Sequence, residues 1–481
     1  MIAVLSAPEV RYPAATDHFS PSDAFPEYAH GAPAATPNTV YAAVRRLLAD
    51  AGLDAARFGA ADWNPFGGTV RPGSTVFVLC NFVYHRRPQE SVEAFQAKCI
   101  HGSVLRAVID YLLIAVGPAG RVRFGNSALQ SCDWQRVLAD TEADKVLEFY
   151  RARGLPVEAV DLRLYVAQRD GLGRVVSVDR RDETLAAADI DLSADSLLNE
   201  LGRQGTPRYR ISDYNPERIE MFHRDGSHHY VINRAILDSD VVLSLSKLKT
   251  HEKVGITCGL KGFVGTVAHK DCLAHHRFGS PAMGGDEYPG ALGILPLVSR
   301  YHDWINRRPA GAPLQGLLQF LERAVRRVLR RAGVVMAGAW SGNDTAWRMS
   351  LDLARIVHYA DRHGVLHDAV QRPNLSLIDG VVGGEGEGPL APEPVAGGTL
   401  VFGESVVDTD RIAARIMGFD PDAIPLLRGT PAGWRYPLPA GAEPFPVAVN
   451  GKRAESTAIA PPRGRRFRPS SGWRERLGGR G

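Results

Sequence analysis

The sequence predicts an α/β protein: a mostly parallel sheet covered by helices, with a helical insertion and a disordered basic C-terminal tail. Strand-length apolar runs alternate with segments of helical periodicity, the usual signature of a helix-covered sheet. Asp240–Leu245 is almost continuously apolar, as a central strand buried on both faces must be. Between 285 and 340 two helical patterns follow each other with no strand between them.

Residues 1–37 are rich in Ala and Pro and read as an irregular arm. Thr39–Ala51 has the spacing of an amphipathic helix. Strands are expected at Ser74–Val83, Arg121–Gly125, Val157–Leu164 and Val175–Val178, and helices at His101–Val116 and Cys132–Arg153. Residues 180–230 are polar and irregular. Beyond the central strand come helices at Pro289–Arg308, Leu314–Arg331 and Asp344–His363, strands at Leu375–Ile378 and Thr399–Phe402, and a helix from Asp410 to Met417. The expected division is therefore 1–37 arm, 38–284 first part of the core, 285–340 helical insertion, 341–450 second part of the core, and 451–481 tail.

Composition narrows the function classes. The chain has 481 residues, 44% hydrophobic and 23% charged, ordinary values for a globular protein. No apolar run reaches membrane-spanning length, and the N-terminus lacks a signal-peptide pattern, so a cytoplasmic protein is expected. The five cysteines are scattered and form no C-x-x-C pair, so neither a disulfide framework nor an iron–sulfur cluster is expected. The net charge of +4 is uneven: the tail from Gly451 holds nine Lys/Arg against Glu455 and Glu475, leaving the rest near −3. Such a tail reads as a solvated, disordered segment, with nucleic-acid binding a lesser expectation confined to it.

The chemistry concentrates where the central strand ends. Lys247, Lys249, Thr250 and His251 fall within five residues, at the carboxyl edge where open α/β sheets bind ligands. Lysines beside a buried strand call for an anion or carboxylate to answer them. In the following segment Ile256, Leu260, Phe263, Val264 and Val267 share a helical face, and Lys253, Thr257 and Lys261 run along its flank. A helix start here offers N–H groups to an anion. The expected roles are anion binding by Lys249 and Lys261, acid/base work by His251, and substrate contacts by Lys247, Thr250 and Thr257.

A second locus is the run Asp379-Gly-Val-Val-Gly-Gly-Glu385-Gly-Glu387, read as a strand entering a flexible acidic loop. Asp379 or Glu385 would act as base, and His251, Asp379, Glu385 and Glu387 are the candidate ligands for a divalent metal. Seven of the fifteen histidines lie between His223 and His276, with Asp225, Asp271 and Asp286 nearby, and read as surface residues. Asn81, Gln130 and Arg348 are further substrate-binding candidates; Asn81 lies in the first core strand and Gln130 follows the next. Asp344 and Arg348 suit an ion pair at a helix start capped by Asn343 or Asp344. Asp408 and Asp410 read as caps of the helix they precede. Arg323, Arg326, Arg327, Arg330 and Arg331 form a basic face on the insertion, which can meet a membrane surface, an acidic partner or a second subunit.

At Ser246-Lys-Leu-Lys-Thr-His251, Gly259-Leu-Lys-Gly262, Asp379-Gly380 and Gly384-Glu-Gly-Glu-Gly-Pro389 the chain resembles the uncharacterised family catalogued as domain of unknown function 362. Leu129-Gln-Ser-Cys-Asp133 and Gly342-Asn-Asp-Thr-Ala-Trp347 add to the resemblance, which spans roughly 75 to 430. It implies a shared α/β core more than a reaction. The family's Lys-Pro-Asn element is reduced here to Asn81, and Gly262 stands where members often carry Asn. The expected function is an enzyme acting on a small anionic metabolite, with a carboxylate or phosphate, through a Lys/His and Asp/Glu cleft, in an oligomer or alone. The alternative is a non-catalytic binding or scaffolding protein using its basic face and tail.

Overall fold

The computed structural model describes all residues except 170–174, 183–184, 203–206, 212–214, 225, 291–292, 309–313, 430–432 and 479–481, and excludes the side chains of 169, 175, 315, 323 and 463. Asp225, Arg480 and the side chains of Arg323 and Arg463 thus lie outside the described residues.

Ten strands build one mixed, mostly parallel sheet. In chain order they are β1 (Ile2–Ser6), β2 (Thr75–Cys80), β3 (Arg121–Asn126), β4 (Val157–Asp161), β5 (Val241–His251), β6 (Gly255–Ile256), β7 (Asn374–Glu387), β8 (Ala391–Gly403), β9 (Pro446–Val449) and β10 (Lys452–Glu455). Their spatial order is β10-β9-β1-β8-β7-β5-β2-β3-β4, with β6 folded back on β5. The block β7-β5-β2-β3-β4 is parallel throughout. β5 is buried at all of its 11 positions, as its apolar run predicts.

Alternating side chains of these strands feed two cores. Leu243, Leu245, Val76 and Val78 pack with the helices Thr39–Asp50 and Gly102–Val116 on one face. Val242, Phe77, Ile378 and Val401 pack with Ala346–Tyr359 and Val406–Ile416 on the other. Several helices start where the sequence offers a cap. Asn38 accepts from Tyr41 N, Asp133 from Arg136 N, Ser405 from Asp408 N, and Asn343 from Thr345 N and Ala346 N.

Several expectations are corrected. The arm is not wholly irregular, because β1 sits inside the sheet, with Val4 opposite both Val401 and Val449. β7 and β8 run to 14 and 13 residues, far beyond the apolar cores read from sequence, since their glycine-rich halves continue as paired hairpin arms. Cys132–Arg153 divides into Trp134–Asp140 and Ala143–Ala152, broken at Glu142, which takes a φ of 59°. Val175–Arg180 pairs with Tyr165–Arg169 in a hairpin of its own, off the main sheet. The insertion forms the helices Leu295–Asn306 and Gln315–Arg331.

The tail departs most from expectation. Its first strand, β10, closes the sheet edge, and Phe467, Trp473 and Leu477 are buried in the core. The Trp473 indole donates to Glu252 O at 2.8 Å. Three widely spaced anchors leave no periodicity to read, yet they suffice to hold the segment. Trp473→Ala is expected to lower the unfolding free energy by about 3–5 kcal/mol in urea denaturation, because a filled core site becomes a cavity. A truly solvated tail would leave stability unchanged.

Candidate functional site

The parallel register of β5 and β7 sets Lys247 opposite Asp379. Both side chains are fully buried, with Nζ 3.0 Å from Oδ2. The Tyr12 hydroxyl donates to the two carboxylate oxygens at 2.7 and 2.8 Å. The backbone N–H groups of His101 and Val381 donate as well, each at 3.2 Å. Tyr12 comes from the N-terminal arm and stacks on His101, with ring centroids 4.0 Å apart. Burial pushes the Lys247 ammonium below its usual pKa and Asp379 opposes the shift; burial and then Asp379 raise Tyr12 well above its own. Asp379 is thus saturated. Its expected roles as base or metal ligand, and that of Lys247 as a substrate contact, give way to a closed internal ion pair.

The acidic run is corrected as well. It is paired strand rather than loop, and its acids hold the tail. Glu385 meets Arg465 at 3.2 Å and accepts from Arg468 N at 3.0 Å. Glu387 is exposed and accepts from Ser471 N at 2.7 Å. Thr250, expected to bind substrate, donates to Gly386 O at 2.8 Å and so fastens β5 to this hairpin. Glu385 therefore does not join the lysines, and neither Glu385 nor Glu387 converges with His251 and Asp379. Among the described residues no three His, Cys, Asp or Glu side chains gather as a metal ion would need.

What does gather is cationic. Lys249, Lys253, Lys261, Lys270, His251 and His276 are all buried, and His275 is half-buried. Lys249 donates to Lys98 O, Lys253 to Ala337 O and Lys270 to Ser127 O, all backbone carbonyls. The Lys261 ammonium has no hydrogen-bond partner among the described residues. Burial, then Lys270 and Lys253, bring Lys261 down to about 7. Burial likewise brings Lys249 to about 7, with Lys247 and Lys98 adding to the fall against Cys99. It does the same to Lys270, where Arg163 adds and Asp161 opposes. His251 is held well below its usual range by burial and then by Lys261, Lys253 and Lys249; burial and the same Lys261 and Lys253 act on His275. Burial thus favours the neutral form of the imidazoles and brings Lys249, Lys261 and Lys270 to about 7.

This group sits at a fitting place. From β2 the chain winds outward through β3 and β4; from β5 it proceeds to the opposite side, so β2 and β5 flank the point where the winding reverses. Asn81 follows β2, bound through its N–H to Leu245 O at 3.0 Å. Asn81 Oδ1, Ser127 Oγ, Ser246 Oγ and Thr257 Oγ1 are buried acceptors or hydroxyls without a partner. Unsatisfied polar atoms of this kind ask for an unseen ligand or water.

Residues 197–415 match the family described as Domain of unknown function (DUF362). The matched segment takes in β5, the Lys/His run, the Gly259–Gly262 turn and the β7–β8 hairpin, so the resemblance rests on the cluster's own residues. It leaves out β2, β3 and Leu129–Asp133, and is narrower than the span read from sequence. No curated protein and no solved structure matches the chain.

Within the matched segment the expected long helix is short. Only Cys258–Gly262 is α-helical, with β6 before it, so Lys253, Thr257 and Lys261 do not line one helix, although Lys253 and Lys261 still face each other's field. Its N–H groups, expected to be open to an anion, are taken: Gly259 N and Leu260 N donate to Asp410 at 2.7 and 2.8 Å. Burial pushes Asp410 up to about 7. Asp410 does not cap its own helix, which Ser405 does, and nothing local in the sequence links it to a turn 151 positions away. A Cβ at Gly259 would lie 2.7 Å from Val406, so only glycine lets the turn reach this carboxylate.

The remaining candidates disperse. Arg348 is held by Asp344 at 3.1 Å, by Glu200 and by Leu197 O, and lies over Trp347; it serves the fold rather than a substrate. Gln130 lends its backbone carbonyl to Arg163, and its half-buried side chain lies on the same loop as Ser127. Cys132 is buried, and burial pushes its thiol up to about 12, which disfavours a thiolate there. His223, His228, His251 and His276 are buried, against the surface reading, and burial lowers His223 to about 3.

The Lys247–Asp379 pair gives a direct test. Asp379→Asn leaves a buried ammonium uncompensated and is expected to cost about 3–5 kcal/mol of stability in urea titration. Lys247→Met combined with Asp379→Leu should recover most of that loss. A pair exposed to solvent would show neither the size of the loss nor the recovery.

Proposed function

We propose that this chain is an enzyme for a small anionic metabolite, carrying a carboxylate or phosphate, bound by Lys249, Lys261 and Lys270. The observation that carries the reading is the buried Lys261 side chain, whose ammonium has no hydrogen-bond partner among the described residues and is pushed down by Lys270 and Lys253. An isolated ion in such a place costs several kcal/mol, and an anion is the natural compensation. Asn81, Ser127 and Thr257 supply polar atoms for the rest of the ligand. His251 accepts Lys253 N at Nδ1 (3.0 Å), so its neutral ring carries the proton on Nε2. A neutral imidazole beside amines of pKa about 7 can pass a proton in either direction near neutrality. The five cysteines are free and buried, which supports a reducing, cytoplasmic setting.

The pH dependence follows from the directions of shift. A lysine with a pKa of 10.5 unfolded and about 7 folded releases its proton on folding between those values. Without ligand, stability should therefore rise with pH from about 7 toward about 10. An anion needs the charged amines and should bind more weakly as pH rises through about 7. Inorganic phosphate and citrate are the probes, followed by thermal unfolding at about pH 6 and about pH 9. Both anions are expected to raise Tm more at the lower pH. Lys261→Met should abolish that response while raising the Tm of the free protein. Unchanged anion affinity in Lys261→Met and Lys249→Ala would sink the assignment.

A further inference from the structure

Amphipathic helices in globular proteins turn their apolar stripe inward. In the insertion Leu295, Val298 and Ile305 of the first helix are buried in this way, but the second helix does the reverse and the first leaves further apolar side chains outside. On Gln315–Arg331 the acid Glu322 is 7% exposed, while Leu317, Phe320, Leu321, Val325 and Val328 are 44–66% exposed. On Leu295–Asn306, Leu297 and Trp304 point outward, and Asp303 points inward to Arg210 at 3.0 Å. His302 ties the two helices together through Glu322 at 3.0 Å. Nine of the nineteen exposed large apolar side chains among the described residues fall between Ile294 and Val328, so the effect is local to this hairpin.

Charge identifies what covers this face. Between Ile294 and Arg331 eight arginines stand against Asp303 and Glu322, the two acids that face the protein. Arg300, Arg327, Arg330 and Arg331 are exposed beside the apolar stripe, and Arg308 lies over Trp304 at 4.1 Å. Leu, Phe and Val in the middle, arginines at the edges and a tryptophan among them match the boundary between acyl chains and anionic headgroups. Among the described residues no single helix is long and apolar enough to cross a membrane, so these helices would lie in the interface plane. We propose that the two-helix insertion docks the protein on an anionic lipid surface. The protein face would be covered there without any change in the core, because the hairpin stands outside the sheet.

Flotation of the full chain with vesicles tests this. The protein is expected to float with phosphatidylcholine–phosphatidylserine vesicles and not with phosphatidylcholine alone. Raising salt from about 0.1 to about 1 M, which cuts the Debye length from about 10 to about 3 Å, should release it. Phe320→Ser with Leu321→Ser should reduce partitioning at least about tenfold at unchanged Tm, since both side chains are exposed. Arg327→Glu with Arg331→Glu should give a similar loss and remove the preference for phosphatidylserine. Failure of the unmodified chain to float with phosphatidylserine overturns the proposal. So does a dimer in sedimentation that the Phe320/Leu321 variant converts to monomer, which would assign the face to a second copy.

Discussion

Carrying ammonium groups out of water costs several kcal/mol apiece unless a charge answers them, and β5 carries two lysines into the interior within three residues. The neighbouring strand decides their fates. In register, β7 places Asp379 opposite Lys247; a register shift follows, and Lys249 then faces Gly384, which has no side chain to offer. A Cβ at that glycine would lie 2.9 Å from the Lys249 side chain, so no carboxylate can be built there. One lysine is neutralised by the fold, and the next is left with a carbonyl. The closed pair and the open cluster are two outcomes of a single irregularity between adjacent strands.

The arm, the acidic hairpin and the tail become intelligible on the same footing. Tyr12 and the His101 N–H complete the solvation that Asp379 loses on burial, so the arm is needed to close the pair. Glycine and glutamate alternate along β7 because its period is two. Gly384 and Gly388 lie against Ala97 O and Thr250 O, and Glu385 and Glu387 turn to the tail. Of the tail's basic residues, Arg465 and Arg468 find acidic partners within the chain, in Glu385 and Glu393.

Local pattern made the central strand, the capped helices and the convergence of cations legible. An unbroken apolar run has few alternatives to a doubly covered strand, and a cap needs only its own turn. β1 escaped notice because five residues among alanines and prolines gain strand character only from β8 and β9, some 400 positions away. Asp410 and Tyr12 escaped for the same reason, since each acts on a partner distant in sequence. Asp379 lies within β7 rather than at its end; pattern set it near the lysines but cannot tell a carboxylate that is available from one already spent on Lys247.

Groups that shift one another cannot be assigned independent titrations. Burial and then Lys270 and Lys253 lower the charge affinity of Lys261, and burial with Lys261 and Lys253 lowers that of His251 and His275. An anion seated among them would reverse the field acting on all at once, so the cluster would take up protons as a unit rather than residue by residue. Electrostatic selectivity would then arise from the shared charge state more than from any single contact. A neutral molecule of the same shape would find lysines largely free to stay uncharged above about pH 7, whereas an anion would supply the charge that burial has withheld. On the proposed reading, a shared charge state of this kind would let lysines discriminate for a negatively charged ligand.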